Sequence, residues 1–188
     1  MSTVRLLVLG VIRRQGQTHG YRVHRELSSW KIETWTSVKA GSVYHALKQL
    51  EKQHMLRNVN VENSEEGPAR TLYELSTEGE VEFIQLLKKA LTSMDMEFFG
   101  AGIAFMQVLP RSETVSLLRI RAQQSDEIHA GLKAMLPLYQ PANDSPNHQE
   151  LLGMWMAFFL STSNWTSGLV ERLEGICGKE CNDSELQT

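Results

Sequence analysis

Between Val38 and His54 two kinds of side chain separate when residues are set about 100° apart around a helix. Val43, Ala46, Leu47 and Leu50 gather on one side. Gly41, His45, Lys48 and Lys52 gather on the other, with Ser42 and Tyr44 flanking them at the amino-terminal end. The apolar side is a core face. The opposite side carries small residues at its start, then hydroxyl, imidazole and ammonium donors. That chemistry suits phosphate oxygens and the edges of bases better than bond cleavage. A major groove about 12 Å wide admits one such helix, and small residues at the helix start permit close approach. An ordinary solvated face would look the same in isolation, so the neighbouring elements have to decide.

Other candidate chemistry is thinner. The chain has no phosphate-cradling glycine loop, no nucleophile elbow, no HExxH and no obvious carboxylate pair, so an enzyme is disfavoured and neither cofactor nor metal is expected. Cys177 and Cys181 stand at i and i+4, but no His or further Cys lies near them in sequence to complete a metal site. His129 and His148 are expected at the surface. Trp155 and Trp165 could stack an aromatic effector or form interface core.

The elements that would position the polar helix follow from periodicity. Val4, Leu7, Val8 and Val11 mark a first helix that stops near Gly16. Tyr21, His24 and Leu27 lie on a short second helix, and Trp30 to Ser37 connect it to the third. After Leu56 the period becomes two. Arg57, Val59 and Val61, then Thr71, Tyr73 and Leu75, form a two-stranded hairpin whose long tip contains Gly67-Pro68. Ser76 or Thr77 can cap the next helix, Thr77 with Glu80 as a capping box, and its apolar residues run on to Phe98 before Gly100 and Gly102 loosen it. Another helix is expected from Pro110 to Leu136 and a last one from about Pro146, capped by Ser145, to Ile176. The last carries Leu151, Trp155, Phe158, Thr162, Trp165, Leu169, Leu173 and Ile176 as a heptad-like stripe, which calls for a partner helix.

Charge is distributed unevenly. Residues 1–60 hold ten Lys/Arg against three Glu, a balance of +7; the whole chain is −3, which leaves −10 for residues 61–188. The basic half is where a polyanion would be met. With 188 residues, 41% of them hydrophobic, a sizeable core is affordable without staples. Two cysteines, no signal-peptide pattern and no membrane-length apolar run place the protein in the cytoplasm.

Three helices, a hairpin and a further helix, with a basic third helix, compose a winged helix-turn-helix, and the motifs resemble those of PadR-like transcriptional regulators. His19-Gly20-Tyr21 resembles the family's signature after the first helix. Gly41-Ser42-Val43-Tyr44-His45-Ala46-Leu47-Lys48-Gln49-Leu50-Glu51 resembles its recognition helix, and Gly67-Pro68-Ala69-Arg70-Thr71-Leu72-Tyr73-Glu74-Leu75-Ser76 its wing. Two positions depart: His54 stands where the family usually has a left-handed glycine, and Thr71 where it usually has a second basic residue. The expected fold is mainly α with a small β-hairpin, a winged helix-turn-helix over 1–80 followed by a helical dimerisation and effector region over 81–188. The expected DNA contacts are Ser42, Tyr44, His45, Lys48, Lys52, Arg70 and Tyr21, with Trp155 and Trp165 as effector candidates. The resemblance implies a homodimeric repressor on a double-stranded DNA operator, relieved by a small molecule or by a change in expression. A winged-helix module for protein assembly without specific DNA binding is the rival.

Overall fold

The computed structural model describes residues 2–62, 70–138 and 147–183, with side chains over 3–59, 71–138 and 147–175. The chain divides into two compact units, residues 1–106 and 107–188. The boundary expected after residue 80 falls within a helix of the first.

The first unit is built around α1 (Ser2–Gln15), where Leu6, Leu7, Val8, Leu9, Val11 and Ile12 are all fully buried. Sequence periodicity assigned it one apolar face. It buries nearly its whole circumference because α2 (Gly20–Ser29), α3 (Ala40–Lys52), α4 (Thr77–Leu91), α5 (Met96–Phe105) and the sheet surround it. The sheet has three antiparallel strands in the order β1 (Thr18–His19), β3 (Arg70–Leu75), β2 (Leu56–Glu62). The hairpin is as expected. The edge strand β1 is an addition, pairing Thr18 with Tyr73 and His19 with Leu72, and two residues are too few to show a period of two. The hairpin tip with Gly67-Pro68 lies outside the described residues.

The end of α3 shows why residue 54 matters. His54 N–H donates to Glu51 O at 2.9 Å and Met55 N–H to Leu50 O at 2.9 Å, the two bonds of a Schellman motif, and His54 takes φ 60° to make them. The turn expected of a glycine is therefore kept by a histidine held in the left-handed region. Such a residue costs roughly 1 kcal/mol there, so His54→Gly is expected to raise the urea midpoint of unfolding without changing its slope.

Beyond the sheet, Ser76 and not Thr77 is the cap of α4, its Oγ accepting from Gly79 N–H at 2.9 Å. The Thr77–Glu80 capping box does not form, because with Ser76 as the cap Thr77 is already the first helical residue and the third is Gly79; the Glu80 carboxylate pairs instead with Arg13 Nε at 2.8 Å. The helix expected to run on to Phe98 stops at Leu91. Ser93 Oγ accepts from Asp95 N–H at 3.1 Å, and Asp95 then caps α5 by accepting from Phe98 N–H at 3.0 Å. Gly100 and Gly102, expected to loosen the helix, lie inside α5 and serve close packing: a Cβ on Gly102 would stand 2.9 Å from Ala90 Cβ.

In the second unit α6 (Arg111–Met135) runs antiparallel to α7 (His148–Asp183), as the pairs Arg119–Glu174, Arg121–Thr166 and His129–Met156 show. The proposed Ser145-Pro146 start of α7 lies outside the described residues. Between the helices Arg121 is fully buried, its Nη1 donating to Thr166 Oγ1 at 2.8 Å while Thr166 donates to Thr162 O at 2.8 Å. Burial pushes its guanidinium down to about 10, still charged at neutral pH. His129, expected at the surface, is half-buried, with Nδ1 3.0 Å from Met156 O. The stripe on α7 divides. Thr162 and Leu169 turn toward α6, whereas Leu151 (51%), Trp155 (41%) and Trp165 (48%) stay exposed together with Met154 (54%).

Candidate nucleic-acid interface

The ridge of α3 stands between two grooves. Val43, Ala46, Leu47 and Leu50 anchor the helix in the core, as their spacing requires, and leave Gly41, Tyr44, His45, Lys48, Gln49 and Lys52 exposed, with Ser42 half-buried. One groove, of about 520 Å³, is bounded by Tyr21, Tyr44, Lys48, Thr71 and Tyr73. The other, on the opposite flank, is bounded by Arg5, Ser37, Gly41, Ser42, His45 and Gln49. Tyr21, Tyr44 and Lys48 are thus brought together from α2 and α3 beside the wing, while Ser42 and His45 face the second groove. Lys52 lies in the last turn of α3, where a cation also complements the helix dipole. Arg70 begins β3 opposite Glu62, and its side chain lies outside the described ones.

The triplet His19-Gly20-Tyr21 acquires a mechanical explanation. His19 Nδ1 lies 3.3 Å from Thr71 O, tying the start of α2 to the wing strand. A Cβ on Gly20 would stand 2.9 Å from Leu47 Cδ1, so the glycine lets α2 meet α3 closely. Tyr21 is then left at the groove, with Arg25 over its ring at 5.9 Å. Tyr44 is held from the α2 side by stacking on His24 at 6.0 Å between centroids. Tyr73 forms the groove floor, and burial followed by the Glu51 charge raises its phenol above the usual range, so it remains a neutral donor at any physiological pH.

Electrostatics correct the charge argument. Arg5 pairs with Glu82 at 3.0 Å, Arg13 with Glu80 at 2.8 Å, Arg57 with Glu74 at 2.7 Å, and Arg14 with Glu26. Much of the +7 is therefore answered inside the unit, largely by acids that follow residue 60. The cations left exposed on the α2 and α3 side include Arg22 and Arg25 as well as Lys48 and Lys52. Counting by segment could not find the two arginines; their i, i+3 spacing on a helix beside Tyr21 was the available signal.

Trp155 contacts Phe158 edge-on at 5.6 Å and stacks on Phe159 at 5.9 Å. Trp165 follows ten residues later on the same helix, about 15 Å along the axis. Among the described residues no group of three His, Cys, Asp or Glu is placed to hold a metal, and no helix is long and apolar enough to cross a membrane. Cys177 and Cys181 lie outside the described side chains.

Three helices, a three-stranded wing and an exposed polar ridge on the third helix define a winged helix-turn-helix. Residues 8–85 match the model of the transcriptional regulator PadR-like family. No curated protein matches the chain. Similar solved structures include Bacillus subtilis PadR in complex with operator DNA, at 18% identity and TM-score 0.40, covering 90% of this chain and 98% of that one. A PadR-like regulator of Bacillus cereus is 17% identical with TM-score 0.38, over 92% and 98%. Bacillus subtilis PadR in complex with p-coumaric acid is 16% identical with TM-score 0.38, over 92% and 96%.

Proposed function

We propose that the protein is a sequence-specific repressor in the cytoplasm, a homodimer that lays α3 in the major groove of a double-stranded DNA operator. The carrying observation is the exposed ridge of α3, with Tyr21, Tyr44 and Lys48 on one flank and Ser42 and His45 on the other. On this reading Ser42 and His45 address base edges, Lys48, Lys52, Tyr21 and Arg70 address phosphates or base edges, and the wing reaches the adjoining backbone. The first 80 residues form the DNA-binding part and the remainder the dimerisation and effector part. Exposed Leu151, Met154, Trp155 and Trp165 supply apolar area for a second copy, and an aromatic effector entering beside Trp155 or Trp165 would release the DNA.

A gel shift on the DNA upstream of the protein's own gene, repeated across salt, tests the reading. Lys48→Ala is expected to weaken binding. If Lys48 meets phosphate, all sequences lose alike and the log-log salt slope flattens by about one. If it meets a guanine edge, discrimination falls by about 1–3 kcal/mol at one base pair. Unchanged affinity for Lys48→Ala and Arg70→Ala together would leave the protein-assembly role as the better account.

A further inference from the structure

The connector between α2 and α3 is compact. Lys31 adopts φ 51°, Thr36 N–H and Oγ1 both donate to Ile32 O at 2.8 Å, and Val38 N–H donates to Thr36 Oγ1 at 3.1 Å, two residues before α3 begins. These local bonds fold residues 31–38 into one compact turn that leads directly into α3. That turn is gripped by α5. Ser37 Oγ donates to Glu97 Oε2 at 2.9 Å in the first turn of α5. One turn later the indole of Trp35 seats on Gly100, so closely that a Cβ there would lie 3.0 Å from Trp35 Cζ3. At the other end of α5 the Phe105 ring fills the notch at Gly10 of α1 and meets Trp30 at 5.7 Å. Ser37 also borders the groove that holds Ser42 and His45.

We infer that α5 is a positioning clamp for the recognition helix: Glu97 and the Gly100 notch set where Gly41 and Ser42 stand relative to the DNA. This rests on α3 being the reading helix. Gly10, Gly100 and Gly102 make the grip stiff, since each brings α5 against α1, the connector or α4 with no slack for a methyl group. The chain leaves α5 directly into residues 106–110 and then α6. The clamp would thus fix specificity by holding the reading face in one position.

The test uses the full-length protein, a duplex it selects from random sequence and a scrambled duplex of equal length. Glu97→Ala removes the acceptor of Ser37; Glu97→Gln removes the same charge but keeps an acceptor, separating the hydrogen bond from electrostatics. Gly100→Leu wedges the connector away. Glu97→Ala and Gly100→Leu are expected to cut the preference for the selected duplex at least about fivefold, the lower end of ordinary coupling between sites. Affinity for the scrambled duplex, helical ellipticity and sedimentation should stay as in wild type, and Glu97→Gln should retain most of the preference. If Gly100→Leu does not fold, the Glu97 pair decides. Folded variants that discriminate like wild type overturn the clamp, as does a parallel loss on both duplexes. Wild-type protein that selects no sequence overturns the DNA-binding reading, and the clamp with it.

Discussion

On the proposed homodimeric reading, Met154→Asp combined with Trp165→Asp is expected to turn the dimer into a monomer and to lower operator affinity by roughly a thousandfold, the lower edge of the gap between specific and non-specific binding. Both side chains are about half exposed on α7. The residues that hold α7 to α6, among them Leu152, Thr166 and Val170, are untouched, so the two-helix unit should keep its ellipticity. A carboxylate at each position must be desolvated for a partner helix to approach, and neither finds a cation in an apolar seam. Loss of the dimer unlinks two recognition helices that a two-fold operator requires about 34–36 Å apart. Analytical ultracentrifugation and a titration of operator DNA read the two effects separately. A variant that still sediments as a dimer places the interface on another surface; one that is monomeric but binds the operator undiminished removes the link between dimerisation and recognition. Deleting α7 outright would be a poorer experiment, because it would strip buried Arg121 of its Thr166 partner.

Gly79→Ala is expected to destabilise the first unit by about 2–3 kcal/mol or more, lowering its thermal midpoint by about 10–20 °C. The added Cβ would fall 2.1 Å from Met55 O, which is backbone and cannot swing aside. That carbonyl already accepts from Ser76 N–H at 3.1 Å and Ser76 Oγ at 3.0 Å, so displacing it also strains the junction of α3, β3 and α4. Gly41→Ala is the control: nothing lies within 4 Å of its Cβ and its φ is not positive, so stability should hold or rise slightly. Thermal melts followed by circular dichroism compare them. Equal melts for Gly79→Ala and wild type would show that the α3–α4 junction has room the geometry denies.

The parts of this molecule written in periodic patterns were readable in advance. The two faces of α3 followed from Val43, Ala46, Leu47 and Leu50 alone, and the left-handed turn at His54 from the resemblance, which puts a glycine there. What escaped was decided by partners distant in sequence. No local pattern marks Thr18 and His19 as a strand, since β3 supplies their pairing; nor does any local pattern show that Glu80 pairs with Arg13. The break at Thr92 to Asp95 was in principle visible, because Asp95 and Ser93 are both cap formers, but the apolar run through Phe98 masked it. Glycines raised the same problem in reverse. Gly100 and Gly102 look like breakers until Trp35 and Ala90 appear opposite them. For the interface itself, Lys48 and Tyr44 could be named from sequence, whereas the internal neutralisation of Arg5, Arg13 and Arg57 needed three dimensions.

Arg121 gives the second unit a preferred alignment that an all-apolar seam would lack. If α7 slid along α6 by one turn, about 5.4 Å, the guanidinium would face either Thr162 or Val170 in place of Thr166. One direction offers another hydroxyl; the other offers two methyl groups to a buried charge, which costs several kcal/mol. Sliding is thus asymmetric, and the joint between the two helices behaves as a ratchet tooth rather than as grease.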